Sequence, residues 1–291
     1  MGLGLKFNLV LAGAFAVGLA GSSFVAYEIL QTNAREEVVS KARLMMSNAL
    51  AIRNYTTSEI RPLLGVAEDH EEFLPHIVPS FAAQANFRMM AKDYPNYNYK
   101  EAALNPTNPT DRATDWEADL IQAFRNDPDL KELVSVRDTP TGQTLVLAKP
   151  LTVNDPSCLD CHSAVDQAPK AMLALYGPGN GFGWQLNETI GAQVVSVPMS
   201  VPLERSWNTF LVFVGSLAGV FVGIAILLNI LLSAMVIRPV VKISRMASDV
   251  SLGKMDVPEV EVTSKDEIGA LSAAFNRMRR SLETALRMLN D

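Results

Sequence analysis

The sequence predicts an α+β domain with an antiparallel sheet and a long N-terminal helix, placed between two membrane-spanning helices and followed by a helical tail. Three observations carry this prediction: two long uncharged runs, alternating apolar segments between them, and a heptad pattern after the second run. Composition agrees. Of 291 residues, 48% are hydrophobic and only 19% charged, which points to membrane segments rather than to a richer soluble core. The net charge of -6 supplies no basic field, so nucleic acid is excluded as a partner. Two cysteines exclude a disulfide framework, and three histidines exclude a multi-histidine metal cluster.

The first run lies between Lys6 and Glu28 and holds 21 residues without a charge, enough for a bilayer span. A cleaved signal peptide is the competing reading, since Ala-Val-Gly-Leu-Ala-Gly resembles a small-residue cleavage region; the run exceeds a normal signal core. The second run, between Arg205 and Arg238, holds 32 residues and reads as a spanning helix. In it Gly215, Gly219 and Gly223 recur every four residues. That spacing suits close helix approach, and glycine is also simply common in membrane helices.

Two spans put both termini on one side. Lys6, Arg238, Lys242 and Arg245 make that side cytoplasmic by the positive-inside rule, against Arg35, Lys41 and Arg43 on the other. The expected boundaries are a cytoplasmic tail over 1–6, a first span over 7–30, an external domain over 31–207, a second span over 208–237 and a tail domain over 238–291.

Inside the external domain, Val38, Ala42, Met45, Ala49 and Ile52 keep helical spacing, so 34–60 reads as one helix that Pro62 ends or kinks. A second helix is expected near 80–92. Residues 94–111 read as turns, rich in Asn and Pro. Thr114 or Asp115 then caps a helix over 115–126. Strands are expected over 132–137, 143–151 and 190–198.

Both cysteines and one histidine stand together as Cys158-Leu159-Asp160-Cys161-His162. This C-x-x-C-H order is the attachment sequence for c-type heme. Two thiols add across the two porphyrin vinyl groups, and the adjacent histidine lies under the iron as proximal axial ligand. The alternatives are weaker. A thioredoxin-like pair needs a βαβ frame, zinc needs four ligands, and a plain disulfide is possible outside the cell. Covalent attachment of heme takes place outside the cytoplasm, which independently places 31–207 there. The distal iron ligand is open among Met46, His70 and His76, with Met45, Met89 and Met90 as further thioethers and a vacant or water-bound position as another choice. A closed position favours electron transfer or redox sensing, and an open one favours gas binding. Four glycines between Gly177 and Gly183 mark a loop whose Tyr176, Phe182 and Trp184 either cover a porphyrin face or pack as in an ordinary turn.

After Arg238-Pro239, the apolar residues Val236, Val240, Ile243, Ala247 and Val250 recur at alternating spacings of four and three. A connector with Gly253 and Pro258 follows, then Ile268, Leu271, Phe275, Met278, Leu282, Ala285 and Leu289 in the same rhythm. Two short heptad helices must bury their seams against a partner, and two chains side by side would form a parallel four-helix bundle.

Arg238-Pro239, Gly253 and Asp266-Glu267-Ile268-Gly269 resemble a HAMP domain, the relay module of bacterial transmembrane receptors. The external part resembles the Tll-family c-type heme domain, which is PAS-like in fold. The matching residues are Arg53-Asn54-Tyr55, Phe81-Ala82-Ala83, Asn105 to Pro109, Cys158 to His162, and Tyr176 to Trp184 with Ile190-Gly191-Ala192. The resemblance implies a sensory heme domain and carries over Cys158, Cys161 and His162. Some relatives use a first-helix cysteine as distal ligand; this sequence has no cysteine left for that.

Together these features predict a homodimeric sensor of the bacterial inner membrane, with one covalent heme c in the periplasm and both termini in the cytoplasm. It would detect a diatomic gas or a redox state and relay it through HAMP to a separate output protein, such as a kinase. The separate partner is expected because no output domain follows the HAMP helices before Asp291. The alternative is a membrane-anchored cytochrome c subunit for electron transfer, which gives the tail no role. No nucleophile–base pair is recognisable, so the reading is non-enzymatic.

Overall fold

The computed structural model describes residues 2–64, 72–140, 142–254, 256–262 and 264–290. The chain divides into two units, Glu28–Asn208 and Met1–Tyr27 with Thr209–Asp291.

Helix α1 (Leu3–Tyr55) leads into a π turn (Thr56–Ile60) and the single turn α2 (Arg61–Leu64). Of the two outcomes predicted for Pro62, an end or a kink, the helix does not end there but is distorted just before it. A proline lacks the N–H for the ladder, and its ring crowds the carbonyl four residues back. Widening the preceding turn accommodates both effects, with the Arg61 N–H bonded five residues back to the Thr56 carbonyl.

Within Glu28–Asn208, α3 (Pro79–Met90), β1 (Asn98–Ala103), α4 (Asp115–Asn126), β2 (Leu133–Thr139) and β3 (Gly142–Thr152) follow. Two short helices, α5 (Leu159–His162) and α6 (Lys170–Tyr176), precede β4 (Thr189–Pro198). The sheet is antiparallel throughout, in the order β1-β4-β3-β2.

Strand alternation sorts its side chains onto two faces. Leu145, Leu147, Val195, Val197 and Tyr99 pack against Val38, Ala42, Met46 and Ala49 of α1 and Ala83 and Phe87 of α3. The intervening Val146, Ala148, Ala192 and Val194 pack against Leu120, Ile121 and Phe124 of α4. The domain is thus a sheet covered on both faces by helices. The start of α4 is fixed by Glu117, whose carboxylate accepts from the Thr114 N–H at 2.8 Å and the Thr114 hydroxyl at 2.9 Å.

The expectation of turns over 94–111 is corrected by β1, and α5 and α6 add to the elements that the sequence predicts. Asn98-Tyr-Lys-Glu-Ala-Ala carries no β-branched residue; its pairing with β4 makes it a strand.

In the other unit, α1 through Tyr27 and α7 (Ser200–Leu232) from Thr209 on meet through a Phe15–Phe221 stack at 4.7 Å and an Asn229-to-Asn8 side-chain hydrogen bond of 2.7 Å. Both helices are long and apolar enough to cross a membrane, and neither apolar window is buried within the chain. A second π turn (Ser233–Ile237) joins α7 to α8 (Arg238–Ser251), and α9 (Glu267–Asn290) ends the described chain. Ile243, Met246 and Val250 of α8 pack with Val260 of the connector and Phe275 of α9. Asn276 pins the connector by bonding both the N–H and the carbonyl of Val260, at 3.0 and 2.8 Å. Leu271, Met278 and Leu282 of the predicted seam stay exposed, and the Leu289 side chain lies outside the described residues.

Candidate functional site

Residues 155–162 form two successive tight turns. The Asp155 carboxylate accepts from the Ser157 N–H at 2.9 Å, and the Asp155 carbonyl accepts from the Cys158 N–H at 3.1 Å. Pro156 stands at the first position of that 3₁₀ turn, where its missing N–H costs nothing. One turn of α5 follows. Cys158 and Cys161, three residues apart, both line one cavity of about 1080 Å³, together with His162.

His162 is held on two sides. Its Nδ1 lies 2.7 Å from the Gly181 carbonyl oxygen, so Nδ1 carries the proton and Nε2 keeps its lone pair. The Trp184 indole stacks on the imidazole at 3.8 Å and 14°. Backbone bonds from Trp184 N–H to His162 carbonyl (3.1 Å) and from Gly183 N–H to Ser163 carbonyl (2.8 Å) zip the glycine loop onto the turn. Gly181 cannot be replaced freely there: its φ is +85°, and a Cβ would run into Thr107. Burial pushes the His162 imidazole down from its ordinary pKa, against the opposing effect of the Gly181 bond. The ring is therefore neutral, as a metal ligand must be.

The Cys158 thiol is pushed up, first by burial and then by Asp155, against Arg53 and Arg61. That keeps sulfur protonated, the opposite of the depressed thiol a dithiol oxidoreductase requires. The two sulfurs are not joined by a disulfide. Among the described residues, no group of three or more His, Cys, Asp or Glu side chains is assembled to hold a bare metal ion. The donor set is two cysteine sulfurs and one imidazole nitrogen on the wall of a large cavity.

Other walls come from α1, its π turn and α2 (Arg53, Asn54, Thr57, Ser58, Arg61), from α3 (Phe81, Gln84, Arg88) and from Thr107, Met172 and Tyr176. Arg53 pairs with buried Glu101, which also accepts from the Tyr99 hydroxyl at 2.7 Å. Gln193 donates to that hydroxyl at 3.2 Å. Arg61 donates to the Ser157 hydroxyl at 3.1 Å and lies 3.6 Å from Asp160.

Of the aromatic residues predicted around the site, Tyr176 and Trp184 line the cavity and Phe182 does not. Met46 is buried in the core between α1 and the sheet, away from the cavity wall. Met45 and Met90 pack against that same core, and Met89 is exposed. His76 meets Phe81 edge-on at 5.4 Å and is not a wall residue. His70 lies outside the described residues. Glu101, Gln193 and Met172 escaped the sequence reading; in sequence they are an isolated acid, an isolated amide and one of 12 methionines.

Residues 31–198 match the Tll0287-like family, and residues 231–284 match the HAMP domain. One solved structure, of the cyanobacterial heme-protein Tll0287, aligns at 17% identity and a TM-score of 0.43, over 56% of this chain and 95% of that one. No curated protein matches. The family match spans more than half of the sequence and includes every wall residue named above, and on that ground the chain belongs to the Tll0287-like family, here followed by a HAMP domain.

Proposed function

We propose that this chain is a membrane-anchored sensor that carries one covalent heme c in the cavity of its external domain. Cys158 and Cys161 form the thioethers, and His162 binds the iron through Nε2. The observation that carries the reading is the Gly181 carbonyl on His162 Nδ1, with both cysteines on the same cavity wall. Fixing one ring nitrogen on a backbone acceptor orients the other toward a metal.

Charge supports the same cofactor. Arg53, Arg61, Arg88 and Lys100 line the cavity, against Glu101, Asp111 and Asp155. Burial pushes the Asp111 carboxyl up, against the Gln84 hydrogen bond and the charges of Lys100 and Arg88. Arg88 lies over the Phe81 ring and has no carboxylate partner among the described residues. Arg53, Arg61 and Lys100 are paired with Glu101, Asp160 and Glu117, so Arg88 is the wall cation suited to a porphyrin propionate.

When bound, the heme supplies an iron that changes oxidation state or takes a diatomic gas. The protein's part is to hold His162 rigidly between Gly181 and Trp184, which ties the ring to both the 155–162 turn and the glycine loop. The heme domain, 31–207, lies in the periplasm, with spans over 7–30 and 208–237 and both termini in the cytoplasm. The HAMP helices over 238–291 pair with those of a second copy and pass the change to a separate output protein.

The test is the absorption spectrum of the purified ferrous protein, with a pyridine hemochrome assay, before and after carbon monoxide. A c-type band that survives acid–acetone extraction is expected, and it disappears in the Cys158→Ala/Cys161→Ala variant. Absence of the band sinks the proposal. A large shift with carbon monoxide assigns gas sensing, and an unchanged low-spin spectrum assigns redox sensing.

A further inference from the structure

The tripeptide Ile-Arg-Pro occurs twice, at 60–62 and 237–239, and each copy directly follows or closes a π turn. In both, the arginine N–H bonds five residues back, to Thr56 and to Ser233. The first copy has three further features. Thr56, Thr57 and Ser58 each donate their hydroxyl to the carbonyl four residues back, at 2.8, 3.0 and 2.9 Å. Such back-bonding competes with the helical ladder and softens it. Thr57, Ser58 and Arg61 line the cavity. Arg61 grips the turn that carries the motif, through Ser157 and Asp160.

A π turn holds one residue more than an α turn, so closing it to α geometry rotates the helix beyond it by about 100°. One end of this turn is tied, through Arg61, to the turn bearing His162. We propose that Arg61 is a positioning residue that couples the state of the heme turn to the π or α form of Thr56–Ile60. One cofactor state strengthens the Arg61 grip and holds the π form; the other releases it and lets the turn tighten. The soft hydroxyl-bonded stretch keeps the two forms close in free energy, as a switch requires. The inference rests on the heme reading above.

The experiment is hydrogen exchange, read by mass spectrometry on peptides covering 52–64, in the full chain in nanodiscs. Samples are ferric, ferrous and ferrous with carbon monoxide, matched for heme by the hemochrome assay. In the wild type, exchange over 56–62 is expected to differ severalfold between at least two states. In Arg61→Gln that difference collapses, and Arg61→Lys restores part of it. A purely structural role would shift all states together and leave their difference intact. Equal exchange in every wild-type state overturns the proposal, as does an undiminished difference in Arg61→Gln. Should that variant not fold, Ser157→Ala removes the same hydrogen bond from its other side and is read in the same way. Absence of heme from the wild type is a separate result, and it overturns the functional reading itself.

Discussion

The sheet domain and the tail use the same apolar residue types and differ in what covers them. In Glu28–Asn208, helices of the same chain close both faces of the sheet, and Leu145, Leu147, Val195 and Val197 are fully buried. In the tail, α8, α9 and the connector close one side only. Phe275 is 5% exposed, whereas Leu271, Met278 and Leu282 are each more than 40% exposed. The difference teaches where cooperativity lies. A core closed by one chain gives a stability that is independent of concentration; a half-closed seam gives a stability tied to a second surface.

The largest expected effect tests the closed core. Phe124 of α4 is 2% exposed on the sheet, and Phe124→Ala should cost about 3–5 kcal/mol. Urea unfolding followed through Trp116 and Trp184 fluorescence reads this, and the midpoint should not move with protein concentration. A concentration-dependent midpoint would break the comparison.

Next comes the open seam. Leu282→Ala should leave the urea midpoint of the sheet domain in place. If the seam is covered by a second copy, the substitution removes about 1.5–3 kcal/mol of self-association, or roughly ten- to a hundredfold in Kd. Sedimentation equilibrium in detergent distinguishes the two domains directly. An unchanged Kd would show that this face of α9 is not the dimer seam.

A smaller effect sits between core and cavity. Gly181→Ala places a Cβ at φ +85°, a backbone strain of about 1–3 kcal/mol, to which overlap with the side chain and backbone of Thr107 adds. Its larger consequence is local, because the Gly181 carbonyl orients His162. The expected outcome is a loss of stability with a clear change in the heme spectrum. A stability loss with an unaltered spectrum would detach the glycine loop from the site.

How much of this was legible in the sequence follows the same division. Periodic elements were readable: the cap at Thr114, the strands at 143–151 and 190–198, and the two uncharged runs all rest on local pattern. The C-x-x-C-H pentapeptide is contiguous, so its pattern is visible in the sequence whatever fold surrounds it. What long-range pairing decides was not. β1 exists because Ala102 and Ala103 lie against Gly191, whose missing Cβ lets the Ala102 carbonyl approach; neither segment announces the other. Met46 has helical spacing whether it packs on a sheet or ligates a metal, and only the sheet's position decides. The tail shows the converse error. Its two heptad helices are predicted to bury their seams against a partner, but Met246 is buried beside Ile243 and Val250 within the chain, because the connector folds Val260 and Asn276 against α8 and α9.

The smallest effect is a difference in sign. Asp266 caps α9, its carboxylate accepting from Ser264 and from the Gly269 and Ile268 N–H groups, which holds it below the usual carboxylate range. A depressed folded pKa means the unfolded chain takes up its proton first. The cap's contribution is therefore full above the ordinary value and is lost as pH falls through the folded one. Asp111, in the cavity of the sheet domain, is pushed the other way by burial, against the opposing hydrogen bond from Gln84. Here the folded chain holds the proton longer, so stability falls as pH rises from the ordinary value to the raised one. Between pH 3 and 6, about the range carboxylates span, hydrogen exchange should show the first turn of α9 loosening on acidification while residues 108–112 become better protected. Asp266→Asn should flatten the first response and leave the second, and Asp111→Asn the reverse. Responses of the same sign in both segments would mean that one global transition, not two separately built units, governs the chain.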